Sequence, residues 1–236
     1  MIFFCSGCRY PCLDVLCPAC RESFYWNTRI LPSNHTGIEG IAPLLYGFER
    51  TQRIIRRWKE HGGSALESRL FRMPEGLRSG LQTLGLFGVV PIPQSRKRSW
   101  QRGHESALST ARHFSWHLEV PLLPLLSLTV PDPLRQTGKN RFDRDFSSQP
   151  FKISMDLDFS REWFHELGCR IDQGREVRIL LVDDLVTSGS TLSKAAWALK
   201  EWLPRVRCWG GSLGYRPVHS GKQEPRLNPD PLLRSP

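Results

Sequence analysis

Ile179-Leu180-Leu181-Val182-Asp183-Asp184-Leu185-Val186-Thr187-Ser188-Gly189-Ser190-Thr191 decides the reading of this chain. The apolar stretch from Val177 to Val182, interrupted only by Arg178 and unbroken from Ile179, predicts a parallel strand covered on both faces, because a strand with one wet face alternates. The strand delivers two carboxylates at its end. Thr187, Ser188, Ser190 and Thr191 set hydroxyls around Gly189, whose missing side chain lets backbone N–H groups close on a phosphate where a helix begins. That helix is expected from about Thr191 to Leu203, with Leu192, Ala195, Ala196, Leu199 and Leu203 on its buried stripe and Pro204 stopping it. Neighbouring carboxylates are costly to bury unless hydroxyls or a metal hold them, and a ribose offers two adjacent hydroxyl donors. The plainer alternative is an acidic turn followed by a Ser or Thr cap.

Working outward, Gly88 to Pro93 carries Val89, Val90 and Ile92 and predicts a short buried strand running into a basic loop. Residues 49 to 60 have helical spacing with a basic face, residues 64 to 87 are weakly helical, and Glu105 to Leu118 predicts a helix. Val206 to Leu213 is the next candidate strand. Strands alternating with helices mean an α/β fold with a mainly parallel sheet flanked by helices, and ligands of such sheets lie beyond the carboxyl ends of the strands. Asn27 to Gly40, with Pro32, Ser33, Asn34 and Gly37, reads as a linker, so that a large domain spans 41 to 215. Residues 130 to 150 read as an excursion from the core and 216 to 236 as a flexible Pro-rich tail.

Five of the seven cysteines fall within the first twenty residues. Cys5-x2-Cys8 and Cys17-x2-Cys20 are spaced as two knuckles that together grip one tetrahedral ion, which predicts a structural zinc in a small module over residues 1 to 30. Such a module buries too little apolar surface to order itself without the metal. Cys12 lies inside the loop as a competing ligand, while Cys169 and Cys208 stand alone and read as buried rather than reactive.

The formal net charge of +10 draws the chain toward polyanions. Its cations are clustered as Arg53, Arg56, Arg57 and Lys59, as Arg96, Lys97, Arg98 and Arg102, and as Arg135, Lys139, Arg141 and Arg144. Each run reads first as a solvated face. The loop from Gln94 to Arg102 follows a sheet strand, however, and Arg96, Lys97, Arg98 and Arg102 suit a pyrophosphate, with magnesium sharing the charge. His104 is the nearest candidate for a base. The N-terminal apolar stretch is too short for a signal peptide, and Leu122 to Leu128 is broken by Pro124. A cytoplasmic protein with no membrane span is expected.

The stretch 179 to 191 resembles the signature of the type I phosphoribosyltransferases. That resemblance implies binding of 5-phosphoribosyl 1-pyrophosphate, with Asp183 and Asp184 on the ribose and Thr187, Ser188, Gly189, Ser190 and Thr191 on the 5-phosphate. A narrower resemblance covers most of the chain: the ComF family, named for competence for DNA uptake. Its features stand here as Cys5 to Cys20, Pro91-Ile92-Pro93, Arg98 to Gly103, Gln136-Thr137-Gly138 with Arg141 and Arg144, and 179 to 191. After Arg102-Gly103 that family usually has an aromatic residue, Asn and Gln, whereas this chain has His104-Glu105-Ser106. Two functions follow as expectations. One is an enzyme transferring the phosphoribosyl group to or from a nitrogen nucleophile with magnesium. The other is a competence protein that binds single-stranded DNA, alongside DNA-uptake proteins, and uses the fold for ligand sensing. A metal-stabilised scaffold that recruits proteins through residues 1 to 30 is the plainest option.

Overall fold

The computed structural model describes residues 3–46, 49–95, 99–100, 103–129, 150–154 and 161–216. Arg96, Lys97, Arg98 and Arg102, the segment 130–149 with its Gln-Thr-Gly and arginines, and the tail from 217 lie outside the described residues.

The chain runs β1 (Phe3–Phe4), β2 (Pro11–Cys12), α1 (Pro18–Arg21), β3 (Leu31–Pro32), β4 (Ile38–Tyr46), α2 (Glu49–His61), α3 (Ser64–Leu70), α4 (Glu75–Gln82) and β5 (Gly88–Pro91). It continues through α5 (Ser106–Leu118), β6 (Leu126–Leu128), β7 (Phe151–Ile153), α6 (Arg161–Asp172), β8 (Val177–Val186), α7 (Ser190–Trp202) and β9 (Val206–Tyr215). The main sheet has the order β3-β4-β9-β8-β5. Every pairing in it is parallel except the short antiparallel edge of β3 on β4. The α/β architecture with a mostly parallel sheet between helices is therefore as expected.

Alternation along β8 divides the interior in two. Leu180 and Val182 join a cluster with Ile54, Ile55 and Trp58 of α2 and Ala111 and Phe114 of α5. Ile179 and Leu181 join the opposite cluster, with Leu192, Ala195, Ala196 and Leu199 of α7. Side chains on a strand point alternately to its two faces, so an all-apolar run serves both layers at once.

Two expectations are corrected. The stretch 27 to 40 is not a linker: it contributes β3 and the start of β4, and the buried Asn27 side-chain amide donates to the carbonyls of Arg29 (2.6 Å) and Pro43 (2.9 Å). Pro32, Ser33, Asn34 and Gly37 read as breakers, yet Asn27 at the head of the stretch is a buried bracket for β4. The second correction concerns β8, which does not stop at Val182. It continues through Val186, so Asp183 and Asp184 lie within its paired length and pair with the β9 register at Ser212 and beyond.

Among the described residues no helix is long and apolar enough to cross a membrane.

Candidate functional site

Consecutive strand residues face opposite layers, and the acidic pair obeys this rule. Asp184 shares the face of Leu180 and Val182, toward α2 and α5, and is buried. Lys59 Nζ of α2 donates to its Oδ1 at 2.8 Å. Gln94 Nε2 donates to its Oδ2 at 3.1 Å and to Ser106 Oγ at 2.7 Å, and the fully buried Ser106 hydroxyl donates to the same carboxylate oxygen. Both oxygens of Asp184 are thus engaged. Its partners come from α2, from the start of the loop after β5, and from the first turn of α5.

Asp183 faces the α7 layer and is half-buried. Its Oδ1 accepts the backbone N–H of Asp184 at 2.8 Å. Burial, followed by the Asp184 charge, pushes its carboxyl up to about 7, against the lowering effects of that N–H and of the Lys59 ammonium. A carboxyl so placed gains from a ligand hydroxyl or cation that restores the solvation it has lost.

Beyond Val186 the chain makes the turn that opens α7. Gly189 takes a left-handed backbone, φ 65° and ψ 0°, which glycine adopts without the strain other residues meet. Gly189 is buried, while Thr187, Ser188, Ser190 and Thr191 around it are exposed, and Ser188 Oγ lies 3.3 Å from Ser190 Oγ. Burial of the glycine has a definite cause. The His35 ring occupies the space a Cβ at position 189 would need. Burial also holds the His35 imidazole below its usual value, toward the neutral form. The sequence-predicted cradle is therefore an exposed hydroxyl rim around one buried glycine, roofed by a histidine from the segment before β4.

Lys59, Gln94, Ser106 and His35 were not singled out for this site by sequence reasoning. Ser106 sits where the sequence departs from the ComF pattern after Arg102-Gly103, and that departure was the available signal. His104, the nearest base candidate, packs its ring 5.3 Å from the Trp58 ring and against Gly62 at the end of α2.

The cysteine cluster is the second constellation. Sγ atoms of Cys5, Cys8, Cys17 and Cys20 all lie within 4.8 Å of one another, close to the ~3.8 Å edge of a tetrahedron built on ~2.3 Å zinc–sulfur bonds. Backbone N–H groups of Gly7 and Cys17 each reach Cys5 Sγ at 3.3 Å. Burial raises the Cys5 thiol, but these backbone donors outweigh it and bring it down to about 6. Burial and the neighbouring cysteines push the Cys20 thiol up. Against the backbone N–H of Cys20, burial and the neighbouring cysteines push Cys17 up as well. Cys5 is thus the thiol held toward thiolate, and the four converging sulfurs fit a closed structural metal site. Cys12 does not compete, because its thiol donates to the Asp14 carbonyl at 2.7 Å. Of the isolated thiols, Cys208 is buried and pushed up to about 12, whereas Cys169 is half-buried beside His165.

Nor does the cluster stand apart from the rest. Cys5, Leu16, Cys20 and Phe24 continue the core of α2 and α5. Arg57 Nη1 donates to the carbonyls of Cys5 (3.3 Å) and Ser6 (2.6 Å). The basic run on α2 is accordingly no uniform polyanion face: Arg53 pairs with Glu49 at 3.1 Å, Arg56 is exposed, and Arg57 and Lys59 are committed inside the protein.

No family model matches the chain. Over 123 residues it is 28% identical to a curated protein of Haemophilus influenzae, Competence protein F. The alignment takes in 52% of this chain and 48% of that relative, so the chain spans about half the length of the curated relative it matches.

Proposed function

We propose that this chain is a ComF-like protein of the phosphoribosyltransferase type that binds 5-phosphoribosyl 1-pyrophosphate with magnesium. The observation that carries the reading is the order of parts at the carboxyl end of β8: a half-buried carboxylate at Asp183, then an exposed hydroxyl turn around left-handed Gly189, then the N-terminus of α7. A turn of this kind suits a phosphate monoester, because N–H groups and the positive end of the helix dipole converge on it. In this reading Thr187, Ser188, Gly189, Ser190 and Thr191 take the 5-phosphate, and Asp183 takes a ribose hydroxyl. Asp184 supports the ribose from behind. Arg96, Lys97, Arg98 and Arg102 take the pyrophosphate, and electrostatic stabilisation of that leaving group is the main catalytic device. A structural zinc on Cys5, Cys8, Cys17 and Cys20 completes the protein. Incubation with phosphoribosyl pyrophosphate, magnesium and each common base should release pyrophosphate with one of them, and release with none would remove the transferase reading.

A second reading is favoured by one observation. Trp100, 88% exposed, lies in sequence between Arg98 and Arg102. Exposed aromatics among cations are stacking platforms for single-stranded nucleic acid. The printed name of the curated relative, Competence protein F, agrees with that direction. Labelled single-stranded DNA should then bind with a salt slope reflecting several phosphates, and Trp100→Ala should weaken it. Binding no tighter than that of an unrelated protein of like charge would dismiss this partner.

A further inference from the structure

We propose that Arg57, Trp58 and Lys59 form a positioning element through which the metal in the cysteine cluster sets the geometry of the ligand site. The proposal rests on the ligand-site reading above, and its structural half stands on contacts alone. Successive residues on a helix project about 100° apart, so three in a row can touch three different neighbours. On α2 they do. Arg57 reaches the Cys5 and Ser6 carbonyls, within the first knuckle. Trp58 is fully buried, donates Nε1 to Glu67 at 3.1 Å and lays its ring beside His104. Lys59 holds Asp184.

The knuckle presses on the same helix. Any Cβ at Gly7 would meet Ile54 Cδ1 at 3.2 Å as well as Cys20, so only a bare backbone fits between the metal cluster and α2. From Lys59 the contacts pass through Asp184 to Gln94 and Ser106, which flank the basic loop on either side. His104, against Trp58, is a further tie between α2 and the residues preceding α5. A closed four-thiolate site orders backbone that would otherwise have no reason to hold one conformation. Once that order is lost, the Cys5 and Ser6 carbonyls no longer fix Arg57. The turn of α2 bearing Trp58 and Lys59 then loses its tie to the knuckle. Arg57 and Lys59 are thus positioning residues: neither needs to touch the ligand to govern it.

Hydrogen exchange of the full chain, read by mass spectrometry, tests this together with zinc content. Arg57→Leu should keep about one zinc per chain, as a closed site requires. It should raise exchange in peptides over 58–61 and 103–110 by about threefold or more, while peptides of α7 stay unchanged. Lys59→Met should raise exchange at 103–110 and leave the knuckle peptides alone. Unchanged exchange at 103–110 in a zinc-loaded Arg57→Leu protein would overturn the coupling. Removing zinc from the wild type with a chelator should reproduce the Arg57→Leu pattern. Should the stripped protein unfold throughout, the zinc-loaded variant still decides. Calorimetry with phosphoribosyl pyrophosphate and magnesium separates the two levels. A wild type that does not bind removes the ligand-site reading and leaves the exchange result to judge the coupling. A wild type that binds, with Arg57→Leu binding equally well, contradicts the coupling itself.

Discussion

The two faces of β8 treat adjacent carboxylates in opposite ways. Toward α2 and α5, Asp184 is closed in by an ammonium, an amide and a hydroxyl, and it serves as a fastening between elements. Toward α7, the partner found for Asp183 is a backbone N–H, beside the turn around Gly189. A fastened carboxylate ties elements together and is costly to unpair, whereas one deprived of water and given little in return costs stability. The sequence Asp183-Asp184 reads as one feature, but strand geometry makes it two.

The largest effect expected concerns the fastened side. Cys17→Ser opens the metal site, and because Cys5, Leu16 and Cys20 are continuous with the core of α2, the loss should extend beyond residues 1 to 30. Thermal unfolding with zinc analysis should find the variant metal-depleted and melting many degrees lower. A variant that loses metal yet melts like the wild type would restore the picture of an independent module.

Asp184→Asn should cost about 3 kcal/mol at neutral pH, since it leaves the Lys59 charge without its buried counter-charge. Denaturant melts measure this, and a loss under about 1 kcal/mol would mean that Lys59 finds another partner or water. Gly189→Ala should cost about 1 to 2 kcal/mol for its left-handed backbone. Collision with His35 adds to that cost. Gly189→Ala with His35→Ala should recover part of the loss, and no recovery would deny the packing of His35 on the turn.

Asp183→Asn should change stability with the opposite sign. The folded-state value, about 7, lies above the ordinary 3.8. Asp183 therefore contributes stability that is present below the ordinary value and is lost as pH rises through about 7. The asparagine variant escapes this loss, so it should be at least as stable as the wild type at pH 8, the advantage vanishing near pH 4. Melts across that range would contradict the comparison if Asp183→Asn were the less stable protein at pH 8.

Local features were legible in the sequence because their cause is local. An apolar run long enough to serve both faces, Ile179 to Val182, gave the strand, a glycine among hydroxyls gave the turn, and two Cys-x2-Cys pairs gave the cluster. What stayed hidden depends on pairing across the fold. Lys59 lies 125 residues from Asp184, Gln94 lies 90 away and Ser106 lies 78 away, and no periodicity connects them. Asn27 and His35 were hidden for a different reason, since polar residues near Pro and Gly look the same whether they bracket a strand or link domains. The basic run on α2 misled in the same way: composition groups Arg53, Arg56, Arg57 and Lys59, while helix geometry sends them to separate neighbours.

Titration calorimetry with 5-phosphoribosyl 1-pyrophosphate and magnesium, on the wild type and on Asp183→Asn at pH 7.5, tests the central claim most directly. The wild type should bind, and the variant, whose amide is a weaker acceptor for ribose hydroxyls, should bind more than about tenfold less tightly, equivalent to ~1.4 kcal/mol. Equal affinity of the two proteins, or no binding by the wild type, would contradict it.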